Sequence, residues 1–214
     1  PPMSHLHRGT VIDVHHTLLP PTGRHHADVS ALLARSRPAP GLPALRLPAP
    51  YLVGAAYMHG VRFRADKRAL IPRSFIGDLL IGGALPIGDP SRVHRVLDLC
   101  TGSGCLAILA ALVFPRARID AVDLSAGALA LARRNIADHR LDDRITIHRG
   151  DLFAPLGNGR YDLIISNPPY VDAGGMAKLP PEFRHEPRLA LAGSPERDRR
   201  VRFRGFRRLP VSLG

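Results

Sequence analysis

The ten residues from Val96 to Cys105, VLDLCTGSGC, constrain the fold of this chain more than any other stretch. The first half has the apolar pattern of a buried strand, and an apolar helix is predicted from Leu106 to Phe114. Between them, Gly102 and Gly104 allow a tight turn and let the backbone approach a ligand without an intervening Cβ atom. A strand that ends in such a turn and opens a helix is typical of a ligand cradle. Three polar side chains accompany the turn: Asp98, Thr101 and Ser103.

An acidic residue follows the glycine turn at the spacing that is typical of nucleotide-binding folds. The glycine pattern alone is a weak match to a dinucleotide-binding fingerprint. However, Asp123 lies 21 residues after Gly102, at the end of a second predicted strand. An acidic side chain in this position would accept both hydroxyls of a ribose. The pattern therefore predicts a site for a nucleoside-containing cofactor.

Strands and helices alternate regularly after residue 94, which predicts an α/β fold with a parallel, Rossmann-like sheet. Strands are predicted over 95–99, 118–122, 145–148 and 162–166, and helices over 104–114 and 126–139, the latter capped by Ser125. In such a sheet, ligands bind at the carboxyl ends of the strands. Four polar landmarks fall at those ends: Asp98 with its glycine turn, Asp123, Asp151 and Asn167.

The last of these strands leads into Asn167-Pro168-Pro169-Tyr170. The side-chain oxygen of Asn167 and the backbone carbonyl of Pro168 would accept the two N–H bonds of a planar NH2 group and aim its lone pair. Pro169 stiffens this backbone, and Tyr170 would pack on the flat face of the substrate. A nicotinamide dehydrogenase, which also fits the glycine turn, leaves this tetrapeptide unexplained. We therefore expect methyl transfer to an NH2 group from S-adenosylmethionine, with Asp123 on the ribose.

Asp151 is followed by Leu152 and Phe153. We expect the Asp151 carboxylate to accept from the adenine amino group, with the two apolar side chains beside the ring; a helix cap or turn residue is an equal alternative. Cys100 and Cys105 flank the glycine turn and are expected to be reduced and packed. No complete metal-ligand set accompanies the paired histidines near residues 15 and 25, so we expect no metal site.

The remaining segments carry most of the charge. The net charge is +12, of which +6 falls on residues 1–92, +1 on 93–195 and +5 on 196–214. We expect a poorly defined Pro/His-rich region over 1–50, a hairpin with a connecting loop and helix over 51–92, a cofactor-binding core over 93–193 and a disordered Arg-rich tail over 194–214. The hairpin should turn near His59-Gly60, and Ser74 can cap the helix that follows it. The loop 70–74 would form one wall of the site or a plain connection. The basic flanks would contact ribosomal RNA or simply be solvated. No apolar run is long enough to span a membrane, and no export signal is evident, so a cytoplasmic location is expected.

The stretches VLDLCTGSGC, AVDLS, GDLF and NPPYV together resemble the class I S-adenosylmethionine-dependent methyltransferases. More narrowly, they are similar to the protein glutamine N-methyltransferases, and residues 167–191 resemble the branch that acts on large-subunit ribosomal protein number three. The resemblance implies methylation of a glutamine amide in that protein. It places the cofactor contacts on 100–104, Asp123, Asp151 and Leu152, with Asp98 and Asn167 beside them, and the substrate contacts on 167–170. In full, the predicted cofactor residues are Asp98, Cys100, Thr101, Gly102, Ser103, Gly104, Asp123, Asp151, Leu152 and Asn167.

The ends of the chain depart from this family. Its members continue with further strands after the NPPY region, whereas the 23 residues after Leu191 contain seven arginines and little periodic pattern. We therefore expect a sheet that is incomplete at the C-terminus and ends that derive from a shifted reading frame. The alternatives are methylation of a release-factor glutamine, methylation of an adenine amino group, and an inactive relative that binds RNA or the ribosome.

Overall fold

A computed structural model describes residues 10–13, 47–85, 87, 89–157, 159–169, 171, 173–179, 183, 185–193 and 207–208 of the 214-residue chain. Six strands of this part form one parallel sheet in the order β6-β5-β4-β7-β1-β8, and two form a separate antiparallel hairpin, β2-β3. The predicted α/β class with a Rossmann-like parallel sheet is confirmed. The sheet strands are β1 (Thr10–Asp13), β4 (Arg95–Leu99), β5 (Arg118–Asp123), β6 (Ile145–Arg149), β7 (Leu163–Ser166) and β8 (Arg207–Arg208).

The register of the central strands aligns the ends that carry the polar landmarks. Leu99 pairs with Val122 on one side and with Ser166 on the other. Asp123, which ends β5, and Asn167, which follows β7, therefore lie on either side of β4 at the same edge of the sheet. On the far side of β5, Asp123 itself pairs with Arg149, the residue before Gly150. The glycine turn, Asp123, Asp151 and Asn167 thus follow four strand ends that lie side by side.

The main hydrophobic core lies between the sheet and three helices. These are α2 (Phe75–Ile81), α3 (Cys105–Val113) and α4 (Ala126–Asp138). Helix α3 is apolar on all sides because it is enclosed by the sheet, α2 and α4, and its residues from Leu106 to Ala111 are all buried. The predicted caps form: the side chain of Ser125 accepts from the Ala128 N–H, and that of Ser74 from the Ile76 N–H.

The segment before the core begins differently from the prediction. A hairpin was expected from residue 51, but residues 51–53 belong to a short helix, α1 (Ala49–Val53). Gly54, with a φ of 67°, ends this helix in a left-handed conformation, and the strands β2 (Ala55–Met58) and β3 (Val61–Arg64) follow. The predicted turn at His59-Gly60 is present between them. The described residues after β7 include two short helices, α5 (Ala173–Lys178) and α6 (Arg188–Leu191).

Within the Pro/His-rich region, Thr10–Asp13 forms strand β1 beside β7, an arrangement that its composition did not predict. The remaining residues of that region before residue 47, the tail from residue 194 apart from Arg207–Arg208, and Tyr170 lie outside the described residues. None of the described helices is long and apolar enough to cross a membrane.

Candidate active site

The glycine turn between β4 and α3 is held in left-handed backbone conformations. The φ angles are 60° at Cys100, 58° at Gly102 and 80° at Gly104. A Cβ atom on Gly104 would lie 3.2 Å from the Cβ atom of Ala132 on α4, so glycine is required there for both its φ angle and its packing. By contrast, a Cβ atom on Gly102 would meet no atom within 4 Å. Gly102 lines an open cleft, and the missing side chain leaves that space to a ligand.

Asp98 is not on the surface of this cleft, although the sequence predicted it among the cofactor contacts. It is the fourth residue of β4 and is completely buried. Its Oδ2 atom accepts hydrogen bonds from the Thr101 hydroxyl (2.5 Å) and the Ala107 N–H (3.0 Å), which tie the strand to the turn and to the helix. Burial raises the pKa of Asp98 to about 7, and the charge of Asp123 acts in the same direction. In this geometry Asp98 supports the glycine turn from the core side.

Asp123 ends β5 with both carboxylate oxygens engaged by the backbone. Oδ2 accepts from the N–H of Gly102 at 2.9 Å, and Oδ1 accepts from the N–H of Ser125 at 2.8 Å. These bonds fix the orientation of the carboxylate at the cleft wall. Because a carboxylate oxygen can accept more than one hydrogen bond, Asp123 is placed where it could also bind the two hydroxyls of a ribose.

Asn135, which sequence reasoning did not single out, anchors the turn from α4. It is completely buried, and its Nδ2 atom donates to the carbonyl of Ser103 at 2.9 Å. Its Oδ1 atom accepts from the backbone N–H of Arg64 on β3 at 2.7 Å. A single side chain thereby joins the hairpin, α4 and the glycine turn. An asparagine inside a helical pattern would be the only signal in the sequence for this role.

These elements surround an open cleft, whose empty space out to its mouth, open solvent included, is about 1110 Å³. Asp98 and Gly104 do not line it, and Tyr170 is outside the described residues. The other predicted site residues all line it: Cys100, Thr101, Gly102, Ser103, Asp123, Asp151, Leu152, Asn167, Pro168 and Pro169.

Asn167, Pro168 and Pro169 form the wall that follows β7. Pro168 is buried, whereas Asn167 and Pro169 are partly exposed at the cleft. On the opposite side of Asp123, Leu152 adopts a φ of 50°, an uncommon conformation for a residue with a branched side chain. The cleft therefore has a wall with amide and carbonyl acceptors at Asn167 and Pro168, and a second wall with Asp151 and Leu152.

Two further segments line the cleft. The sequence left the role of residues 70–74 open between a wall of the site and a plain connection, and the structure places residues 68–74 at the cleft. Pro187, Leu189 and Ala190 line it as well, and no local pattern predicted this. In the part of the chain that the structure describes, no group of histidine, cysteine and carboxylate side chains is arranged to hold a metal ion.

Comparison with known proteins shows which family the residues around this cleft match. Residues 85–182, which carry the glycine turn, Asp123, Asp151 and Asn167, match the family described as "Methyltransferase small domain". Residues 85–182 form a methyltransferase domain. The predicted resemblance to the S-adenosylmethionine-dependent methyltransferases is thereby confirmed.

Three curated relatives of this methyltransferase domain are named ribosomal protein uL3 glutamine methyltransferase. That of Bradyrhizobium diazoefficiens is 62% identical over 155 residues, covering 69% of this chain and 49% of the relative. That of Burkholderia pseudomallei is 59% identical (69% and 51% covered), and that of Bordetella pertussis is 56% identical (69% and 50% covered). The predicted relationship to the ribosomal-protein branch is confirmed. The chain spans about half the length of these relatives.

A solved structure of the human METTL16 catalytic domain, in complex with a MAT2A 3′UTR hairpin, is similar in fold. The TM-score is 0.50 at 19% identity, and the match covers 62% of this chain and 51% of that one. At this level of identity the similarity concerns the fold alone.

Proposed function

We propose that this chain transfers a methyl group from S-adenosylmethionine to the side-chain amide nitrogen of a glutamine in ribosomal protein uL3. The observation that carries the proposal is the position of Asn167 and Pro168. They lie in the same cleft as the glycine turn and Asp123, so an amide held by one wall would face a methyl donor held by the other. The names of the curated relatives support glutamine as the acceptor.

The residues present fit this cofactor. Gly102 leaves cleft space that a Cβ atom would occupy, and Asp123 offers oriented acceptors to a ribose diol. Leu124, Ala128 and Leu152 give the cleft the apolar surface that an adenine ring requires, and Asp151 lies at the same end. When bound, S-adenosylmethionine supplies an electrophilic methyl group on a positively charged sulfur.

The chemistry left to the protein is orientation. An amide nitrogen is a poor nucleophile because its lone pair is delocalised into the carbonyl group. The side-chain oxygen of Asn167 and the carbonyl of Pro168 would each accept one N–H of the glutamine and favour the charge that develops on nitrogen. Held in this way, the amide nitrogen would face the methyl group that the cofactor would supply, and its lone pair would be aimed along the S–C bond. The extra proton then leaves the nitrogen to water, so no strong base is required.

The test is methyl transfer from isotopically labelled S-adenosylmethionine to purified uL3, with the modified residue located by mass spectrometry. We expect label on one glutamine, loss of transfer in Asn167→Ala with cofactor binding retained, and loss of cofactor binding in Asp123→Ala. Asp138→Asn, which alters an exposed residue at the end of α4, is the control and should behave as wild type. A release factor and an adenine-containing oligonucleotide are run as competing acceptors.

Label on either competing acceptor but not on uL3 would refute the proposed substrate. Absence of cofactor binding in the folded chain, together with salt-sensitive RNA binding, would instead favour an inactive relative. We place the reaction in the cytoplasm, as expected for a ribosomal-protein substrate. Contact of the basic flanks with ribosomal RNA stays a prediction, because most of those residues lie outside the described part of the chain.

A further inference from the structure

An ion pair between Arg73 and Glu186 joins two segments of the cleft wall that lie 113 residues apart in the sequence. The guanidinium donates to both carboxylate oxygens, at 2.8 Å and 3.0 Å. The side chain of Glu186 is only 3% exposed. The guanidinium also lies over the ring of Phe183, 4.8 Å from its centre. Because two hydrogen bonds and an aromatic face fix the guanidinium, this pair has one geometry, unlike an ordinary surface ion pair.

Arg73 belongs to the loop 68–74, which lines the cleft before α2. The other end of this loop is also anchored, since the Tyr51 hydroxyl donates to the carbonyl of Ala69 at 3.0 Å. Burial and the charge of Glu186 raise the pKa of Tyr51, so that its hydroxyl keeps its proton and this bond persists. The loop is therefore a fixed wall from which Arg73 reaches Glu186.

Glu186 opens the segment 186–193, whose residues Pro187, Leu189 and Ala190 line the cleft. This segment is joined to the substrate wall by two backbone hydrogen bonds. The N–H of Val171 donates to the carbonyl of Leu191 at 3.0 Å, and the N–H of Gly193 donates to the carbonyl of Val171 at 2.9 Å. Val171 follows Pro169 by only two residues. The pair thus connects the loop 68–74, through the segment 186–193, to the backbone that carries Asn167 and Pro168.

We propose that Arg73 and Glu186 are a positioning pair for the methyl acceptor, which holds the segment 186–193 against the Asn167–Pro169 wall so that the target amide is presented in line with the methyl group. The inference rests on the proposed function for the identity of the acceptor. The cofactor side of the cleft has its own supports, namely the bonds from Asp123 to Gly102 and Ser125. Loss of the pair should therefore affect the acceptor and spare the cofactor.

Hydrogen–deuterium exchange of the full chain tests whether the pair holds the segment 186–193 in place, and it requires no methyl acceptor. In Arg73→Ala and Glu186→Gln we expect the amides of Val171 and Gly193 to exchange at least about tenfold faster, because the segment is no longer held. Amides of β4 and β5 should be unchanged. Asp138→Asn is the matched control: it removes one partner of a second two-pronged arginine–carboxylate pair, with Arg64, that is exposed and outside the cleft. Unchanged exchange at Val171 and Gly193 in both variants would overturn the proposal.

Enzyme kinetics test whether the pair positions the methyl acceptor. Both variants should lower kcat/KM for the acceptor roughly tenfold to a hundredfold, since small misplacements of reacting groups are costly, while the Kd of S-adenosylmethionine changes less than about twofold. Arg73→Lys keeps the charge but not the two-pronged geometry, and its loss should be intermediate. The double variant Arg73→Ala/Glu186→Gln should lose no more than the worse single variant, because both changes release the same segment.

Parallel losses of cofactor affinity and thermal stability, with additive effects in the double variant, would reduce the pair to a structural role and refute the proposal. Failure of the proposed function is a separate result. In that case the wild-type chain binds S-adenosylmethionine and methylates no glutamine. The exchange experiment then still decides whether the pair holds the segment in place.

Discussion

Replacing Asp98 by asparagine should make the stability of the cofactor-free chain less sensitive to pH between about 5 and 8. The carboxyl group of Asp98 is completely buried, and one of its oxygens has no hydrogen-bond partner among the described residues. Burial raises its pKa from 3.8 to about 7, against the opposing effect of the bonds from Thr101 and Ala107. Asparagine has nearly the same shape, can accept both of these bonds through its own Oδ1 atom, and carries no charge. Its buried Nδ2 group adds a cost that does not change with pH.

The sign and size of the effect of Asp98 on the free energy of unfolding follow from proton binding. The unfolded carboxyl group loses its proton near pH 3.8 and the folded one near pH 7, so between these values the folded state binds more protons. Asp98 therefore makes the folded state less stable as pH rises from about 4 to about 7, and its effect is constant above that. The full shift of about 3 pKa units corresponds to about 4 kcal/mol. Between about pH 5 and pH 8, the advantage of Asp98→Asn should grow by about 3 kcal/mol.

The assay is urea unfolding of both proteins from about pH 5 to pH 8, in one buffer series and without cofactor. Other titrating groups cancel in the difference between variant and wild type. Asp138→Asn serves as a control, because the hydrogen bonds from Arg64 lower the pKa of Asp138, and its effect is already constant above about pH 5. A difference for Asp98→Asn that stays flat, or that shrinks as pH rises, would refute the account of a buried, costly charge.

Three further predictions concern the glycine turn. Gly104→Ala should cost about 1–2 kcal/mol in urea unfolding, because it combines a left-handed φ with a 3.2 Å approach to Ala132, and it should also weaken S-adenosylmethionine binding by calorimetry. Asn135→Leu should cost about 1–3 kcal/mol, because the buried Ser103 carbonyl loses a donor; equal stability of this variant would contradict the role of the anchor. Burial raises the pKa of the Cys105 thiol to about 12, so iodoacetamide should leave Cys105 unlabelled in the native chain at pH 8, as peptide mass spectrometry would show.

The place of a residue within a single strand, turn or helix could be predicted well from the sequence. Ser74 and Ser125 cap the helices expected of them, and Asp123 ends β5 as its distance from the glycine turn suggested. Such features depend on residues that are neighbours in the sequence, so their pattern can be recognised before the fold is known. Asp98 shows the limit of this reasoning. Its place near the end of a strand was correct, but β4 is buried from Val96 to Leu99, so the side chain is enclosed in the core and does not reach the cleft.

Local periodicity and residues with special backbone preferences encode the α/β class, the glycine turn, the acidic residue that ends β5 and the Asn-Pro-Pro segment that follows β7. These features could therefore be predicted before the fold was known. Which distant groups meet became clear only from the folded chain. Asn135 reaches Ser103, and Arg73 reaches Glu186, across 32 and 113 residues respectively. Pairings of this kind arise when packed helices and strands bring distant segments together and buried polar groups gain stability from a partner. No local sequence pattern predicts them.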